Sequence, residues 1–139
     1  MLGTMNRTNA KALEGRIDQS VTVYYQNGEP YTGIVYEMHQ GRIDLEYEVV
    51  NGVKQGIETE FYPDGKIQSV SRYARNVLDG PLINYYENGA VEEKAMFEKG
   101  VCIRSTSYDK EGQVIEENTI SEESPEYPWL TYLRQKSNA

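Results

Sequence analysis

The sequence predicts a mainly all-β protein, an open and curved antiparallel β-meander of tandem hairpins with short helical capping segments at the N-terminus, the C-terminus or both. Three observations carry this expectation. A pentad of aromatics closed by a glycine recurs as YYQNG at 24–28, FYPDG at 61–65, YYENG at 85–89 and a degraded YDKEG at 108–112. The segments around the pentads alternate apolar and polar residues, the period of a half-buried strand. Twelve tyrosines in 139 residues suit strands and argue against a disordered chain.

The elements follow in chain order. Residues 1–20 form an N-terminal cap or arm, with a weak helical stretch around NAKALEG. Residues 21–118 hold the repeats, whose pentad glycines Gly28, Gly65, Gly89 and Gly112 are spaced by 37, 24 and 23. The longer first spacing accommodates one additional hairpin, supplied by EMHQGRIDLEYE. Gly56 and Gly80 each stand nine residues before a pentad glycine, and Tyr36, Tyr73 and Phe97 stand eight residues after one. Two segments, NGVKQGIETEFYPDGKIQSVSRY and RNVLDGPLINYYENGAVEEKAMF, are therefore copies of one unit.

Proline fits the second position of a type I turn, and a following glycine takes the left-handed conformation cheaply. PDG thus reads as a three-residue hairpin loop, with ENG and QNG acceptable variants and a two-residue Asn-Gly turn as the competing geometry. In that register Ile57, Thr59, Phe61, Ile67 and Tyr73 share an inward face, opposite Glu58, Glu60, Tyr62, Lys66 and Gln68. In the next unit Ile83, Tyr85, Val91, Ala95 and Phe97 fall inward, with Leu82 and Glu93 as exceptions. The first aromatic of each pair is expected in the core and the second on display. Val21, Val23, Tyr25 and Tyr31 give the first unit a second apolar face that needs cover. Roughly ten strands are expected, neighbours in sequence pairing in space. Residues 119–139 form an acidic linker and a C-terminal capping segment. There Tyr127, Trp129, Leu130, Tyr132 and Leu133 have spacings suited to one or two helical turns that close the sheet.

Paired aromatics, Asn/Asp-Gly and a second glycine nine residues earlier resemble the MORN-repeat variant, and in particular the YwqK-like bacterial antitoxin family. The resemblance covers about residues 21–118 and rests on GIETEFYPDGKIQSVSRY and GPLINYYENGAVEEKAMF. The fourth unit departs from it, with Asp109, Glu111 and Ile103 at motif positions. The resemblance implies a partner that binds and neutralises a cognate toxin without chemistry. The wider family implies scaffolding or lipid contact.

Charge narrows the partners. Acidic residues number 22 against 14 Lys and Arg, a net charge of −8, and proteins that bind nucleic acid or anionic lipid directly need the opposite balance. A basic protein partner fits it. The single Cys102 rules out an intrachain disulfide, and no stretch has the length or apolarity to cross a bilayer. A cytoplasmic location is the expectation. Chemistry is poorly supplied: His39 and Cys102 are each alone, glycine-rich nucleotide motifs are missing, and the 116–126 glutamates lack a calcium-loop pattern. Neither catalytic residue, cofactor nor metal is expected.

What remains is a displayed surface. Tyr62 and Tyr86 occupy equivalent positions, flanked by Glu58, Glu60, Asn84 and Glu92, with Glu122 and Glu123 in the acidic linker. Two roles suit the tyrosines, as hot spots for a basic partner or as cross-strand pairs that stabilise the sheet. An immunity or antitoxin protein is the leading expectation, its toxin a nuclease or other enzyme with a basic cleft. A scaffold that assembles through its repeat sheet is the alternative.

Overall fold

Each pentad closes a hairpin by hydrogen bonds that its residues dictate. In the computed structural model, which describes residues 6–137, the Tyr62 N–H donates to the Lys66 carbonyl at 2.8 Å and the Gly65 N–H to the Tyr62 carbonyl at 2.9 Å. The loop is the three-residue one, with Gly65 left-handed at φ 91°, where a Cβ would be strained. Tyr86 pairs with Ala90 and Asp109 with Gln113 in the same way. Asp64 and Asn88 brace their loops by accepting the N–H two residues on. The fourth pentad has Glu111 at that position, and Asp109 substitutes for it by accepting from both Glu111 and Gln113. That exchange explains how a degraded motif still forms its turn. QNG does differ: Gln26 pairs with Glu29 across a two-residue turn, with Asn27 and Gly28 both at positive φ.

The strands are β1 (Arg7–Asn9), β2 (Glu14–Asp18), β3 (Val21–Gln26), β4 (Glu29–Pro30), β5 (Gly33–His39), β6 (Arg42–Val50) and β7 (Val53–Phe61). They continue as β8 (Ile67–Ala74), β9 (Val77–Tyr85), β10 (Val91–Glu98), β11 (Val101–Tyr108) and β12 (Val114–Thr119), before helix α1 (Tyr127–Ser137). Nine strands make one open sheet, ordered β1-β5-β6-β7-β8-β9-β10-β11-β12, and β2-β3-β4 make a separate small one. Among the described residues only the β1–β5 pairing is parallel. The extra hairpin expected from EMHQGRIDLEYE is β5–β6, turning at Gln40-Gly41. The weak helical stretch at NAKALEG is corrected: it is a single 3-10 turn, Ala10–Ala12, followed by strand β2. Gly15 and the Glu14–Arg16 pairing on Tyr25 favour the strand, with the Arg16 guanidinium 4.2 Å from that ring.

A one-residue bulge follows the loop of the β5–β6, β7–β8, β9–β10, β10–β11 and β11–β12 hairpins. Met38 pairs with Ile43 but Glu37 with Leu45, so Asp44 is extra. Likewise Gln68, Glu92, Ile103 and Ile115 are extra in the β7–β8, β9–β10, β10–β11 and β11–β12 hairpins. Each stands three residues after its loop glycine. One additional residue exchanges the faces of everything beyond it. Tyr73 therefore lies on the face of Glu58, away from Ile67, and Ala95 and Phe97 lie opposite Leu82 and Gly80.

This overturns the expected inward face. Val35 pairs with Tyr47, Tyr47 with Glu58, Glu58 with Ser71, Ser71 with Leu82, and Leu82 with Ala95. Along that row Val35, Tyr47, Glu58, Ser71 and Ala95 are all buried. We call this side of the sheet the covered face. The other, open face carries Ile57 and Ile67, both exposed, and half-buried Phe61 and Tyr85. Phe61 and Tyr85 thus lie on an open sheet surface, whereas Tyr24, the first aromatic of the first pentad, packs against the core as expected.

The core lies where β2-β3-β4 packs on the covered face. Tyr31, Val35, Tyr47 and Val49 are its buried members, with Ala10, Leu13, Tyr24 and Leu45 around them. Tyr24 N–H donates to Gly52 and Gly52 N–H to Tyr31, both at 2.7 Å, pinning the small sheet to the β6–β7 turn. Of the first unit's second apolar face, Tyr31 joins this core, whereas Val21, Val23 and Tyr25 stay half-buried, with the Arg16 guanidinium over Tyr25. Gly56 and Gly80 have their own reason: a Cβ on them would collide with the side chains of Glu48 and Arg72, which cross them from the neighbouring strand. Glu48 then accepts the Ile57 N–H at 2.6 Å.

Candidate binding surface

The second tyrosines of the pentads form a ladder between units. Tyr62 Oη donates to the Tyr85 carbonyl at 2.6 Å, and Tyr86 Oη donates to the Tyr108 carbonyl at 2.7 Å. Each reaches the backbone of the first pentad position in the next repeat, which gives a tyrosine at the second position its role. Both rings are half-buried, so they are less displayed than the sequence predicts. Burial first, then Glu92, Glu87 and Asp64, raise the Tyr62 phenol above the usual tyrosine range.

Glu58 is not on a solvated surface. It is buried, and its carboxylate accepts from Lys54 Nζ at 2.6 Å. The ammonium also sits 4.5 Å from the centroids of both the Tyr47 and the Tyr73 ring. Burial, then Glu58, push the Tyr73 phenol up to about 12, and burial drives Tyr47 well above its ordinary range. In the next unit, 24 residues on, Leu78, Leu82 and Phe97 occupy the positions of Lys54, Glu58 and Tyr73. The Lys54–Glu58 pair is thus the polar counterpart of an apolar cluster, and its signal in the sequence was the i, i+4 spacing set against that of the two leucines.

Next to this buried row, toward the pentad loops, runs a row of different character. Glu37 pairs with Leu45, Leu45 with Glu60, and Glu60 with Ser69. Ser69 pairs with Asn84, Asn84 with Glu93, Glu93 with Ser107, and Ser107 with Glu116. Four glutamates and no base occupy one line across eight strands. Strands ~4.8 Å apart place Glu60 and Glu93 ~14 Å from each other and Glu93 and Glu116 ~10 Å. Asn84 Nδ2 donates to Glu93 at 3.4 Å. The structure therefore brings Glu60, Asn84, Tyr62 and Tyr86 to one region, with the bulge residue Glu92 beside Tyr62. Sequence reasoning missed Glu37, Glu93 and Glu116, because only the bulges put them in line with Glu60.

Glu122 and Glu123 are exposed but lie elsewhere. They follow β12 at the end of the sheet opposite the pentad loops, near Ile103, whose carbonyl accepts the Ile120 N–H at 2.9 Å. Helix α1 is docked there by buried Leu130 and by Arg134, whose guanidinium grips Glu98 at 2.6 and 2.8 Å. That pairing holds the Glu98 carboxyl below the usual range. Trp129, one of the residues spaced to close the sheet, is 56% exposed, because Leu130 takes the inward position one residue along. His39 and Cys102 are exposed. Among the described residues no three His, Cys, Asp or Glu side chains converge as metal ligands, and no helix is long and apolar enough to cross a membrane.

The architecture is that of a β-hairpin repeat protein with an acidic line on one sheet face. The family model described as the MORN repeat variant matches residues 54–74 and 78–99. These are the β7–β8 and β9–β10 hairpins, the two best copies of the unit. No characterised protein and no solved structure was found to match the chain.

Proposed function

We propose that this repeat sheet is a non-catalytic protein-binding module whose partner is a basic protein, and that it acts as a cytoplasmic immunity or antitoxin protein. The acidic row carries the reading. Glu37, Glu60, Glu93 and Glu116 share one line with no Lys or Arg among them, and such a line steers and orients a cationic surface. Tyr62 and Tyr86 border it with partly exposed rings on a rigid ladder, which suits them as anchors of low entropic cost. An enzyme that grips a polyanion, such as a nuclease, presents a cleft of the complementary sign. A standard interface of about 1,600 Å² fits a sheet of this width.

The test is affinity capture with the tagged full chain from its native host, at low and at raised salt. One basic protein recovered stoichiometrically and released by salt is the expected result. Its toxicity, and relief of that toxicity by co-expression of this chain, establish the immunity role. Recovery of only the chain itself, or of acidic structural proteins, refutes the reading and favours a scaffold.

A further inference from the structure

The far end of the sheet holds a feature that the acidic row does not use. A groove of about 740 Å³ runs between the ends of β10–β12 and the start of α1, with Phe97, Val101 and Ile120 as apolar walls and Glu126 and Trp129 on the helix side. Trp129 and Tyr132 stack on each other, centroids 5.3 Å apart and 21° between planes. They are 56% and 50% exposed. This exposure does not come from a loosely held helix, since Leu130 is fully buried and Arg134 is clamped by Glu98. The stack is instead a flat aromatic surface held in place at the mouth of the groove. Its electrostatic surroundings are negative: Glu126 lines it, Glu122 and Glu123 precede it, and no base is among its walls. Cys102 at the groove feels the same field, its thiol pushed up by burial first and also by Glu93 and Glu126.

We propose that this groove takes an arginine side chain from an extended segment of a protein partner, the guanidinium lying against the Trp129 ring and pairing with the Glu126 carboxylate. Arginine fits better than lysine. Its planar group stacks on a flat ring and pairs with a carboxylate in two bonds, and it loses less hydration than an ammonium. A groove of this volume has room for the residues on either side of the arginine. The inference rests on the reading of a basic protein partner and gives that partner a second anchor, about four residues along the strands from the acidic row.

The protein contains one tryptophan, so its fluorescence reports occupancy directly. The full chain is titrated with a capped four-residue peptide bearing one arginine, and with matched lysine and citrulline peptides. The expected result is a saturable change in Trp129 emission for the arginine peptide, weaker binding for lysine and none for citrulline. Glu126→Gln, at an exposed position before the helix, weakens the arginine peptide roughly threefold or more while circular dichroism stays unchanged. Equal responses to arginine and citrulline, no response to arginine, or indifference to Glu126→Gln overturn the proposal. A blue shift with neutral phosphatidylcholine vesicles and none with peptide also overturns it, as the stack is then a lipid contact. If the peptide fails while a basic protein is still captured and is lost on changing Glu60 and Glu93, this inference falls alone. If no basic protein is captured either, the underlying reading falls with it.

Discussion

Replacing Lys54 by methionine isolates the pair that links the two sheets' packing to the repeat. Lys54 and Glu58 have side-chain exposures of 18% and 9% and meet at 2.6 Å. Removing one member of a buried pair leaves the other charge uncompensated and costs about 3–5 kcal/mol. Loss of the ammonium from between Tyr47 and Tyr73 removes a further ~0.5–1 kcal/mol per ring. Methionine keeps the length of the stem and restores part of the packing, so about 3 kcal/mol is the expected net loss. Against a typical total of about 5–15 kcal/mol this is a large fraction. Urea denaturation followed by far-ultraviolet circular dichroism reads it as a lower midpoint at unchanged slope. The neighbouring unit supplies the control. Lys54→Leu together with Glu58→Leu copies Leu78 and Leu82, and it should return to within about 1 kcal/mol of wild type, because apolar replacement of a buried pair is often neutral or better. A loss below about 1 kcal/mol for Lys54→Met alone would refute the reasoning, since Glu58 would then be reaching water.

Other outcomes follow from the same geometry. Tyr62→Phe and Tyr86→Phe each remove one bond to a backbone carbonyl and should lower stability by about 1 kcal/mol, additively within error in the double variant, as measured by the same urea curves. Tyr73 titrates near 12 in the folded protein against about 10 unfolded. The unfolded state thus loses its proton first, and stability falls as pH rises from about 10 to about 12, followed by denaturation midpoints alongside phenolate absorbance. Tyr73→Phe removes that dependence. Glu98 behaves oppositely: its pKa is lowered by Arg134, so the clamp on α1 is present above the ordinary glutamate range and is released as pH falls through the lowered value. A change in Trp129 emission over that acid range should vanish in Glu98→Gln.

Much of the fold was legible because turns are written in short, local chemistry. Pro63-Asp64-Gly65 and Asn88-Gly89 announce their loops, and the unequal glycine spacing announces β5–β6. The assignment of faces was not legible. Gln68, Glu92 and Ile115 share no side-chain chemistry, yet each is the extra residue that exchanges the faces beyond it. Without them Tyr73 falls on the face of Ile67, and Glu58 falls on the solvent side. Leu82, an exception to the simple alternation, was the clue, because it falls into line with Ala95 once Glu92 is skipped. The candidate site was half legible for the same reason. Glu60 and Asn84 sit before the bulges and keep their place, whereas Glu93 and Glu116 come after them. The N-terminal segment failed differently. NAKALEG has helix-forming composition, but Asn9 caps a single turn, its Oδ1 accepting the Lys11 N–H at 3.0 Å, and pairing with β3 then takes the chain into a strand.

The most direct measurement is the affinity of the captured basic protein for three forms of the chain: wild type, the row variant Glu60→Gln/Glu93→Gln/Glu116→Gln, and the open-face variant Lys94→Gln/Arg104→Gln. All three are compared by calorimetry at one salt concentration after their folds are matched by circular dichroism. Binding through the acidic row predicts a loss of roughly tenfold or more for the row variant and little change for the open-face variant. Full affinity in the row variant, or a larger loss in the open-face variant, would contradict the account.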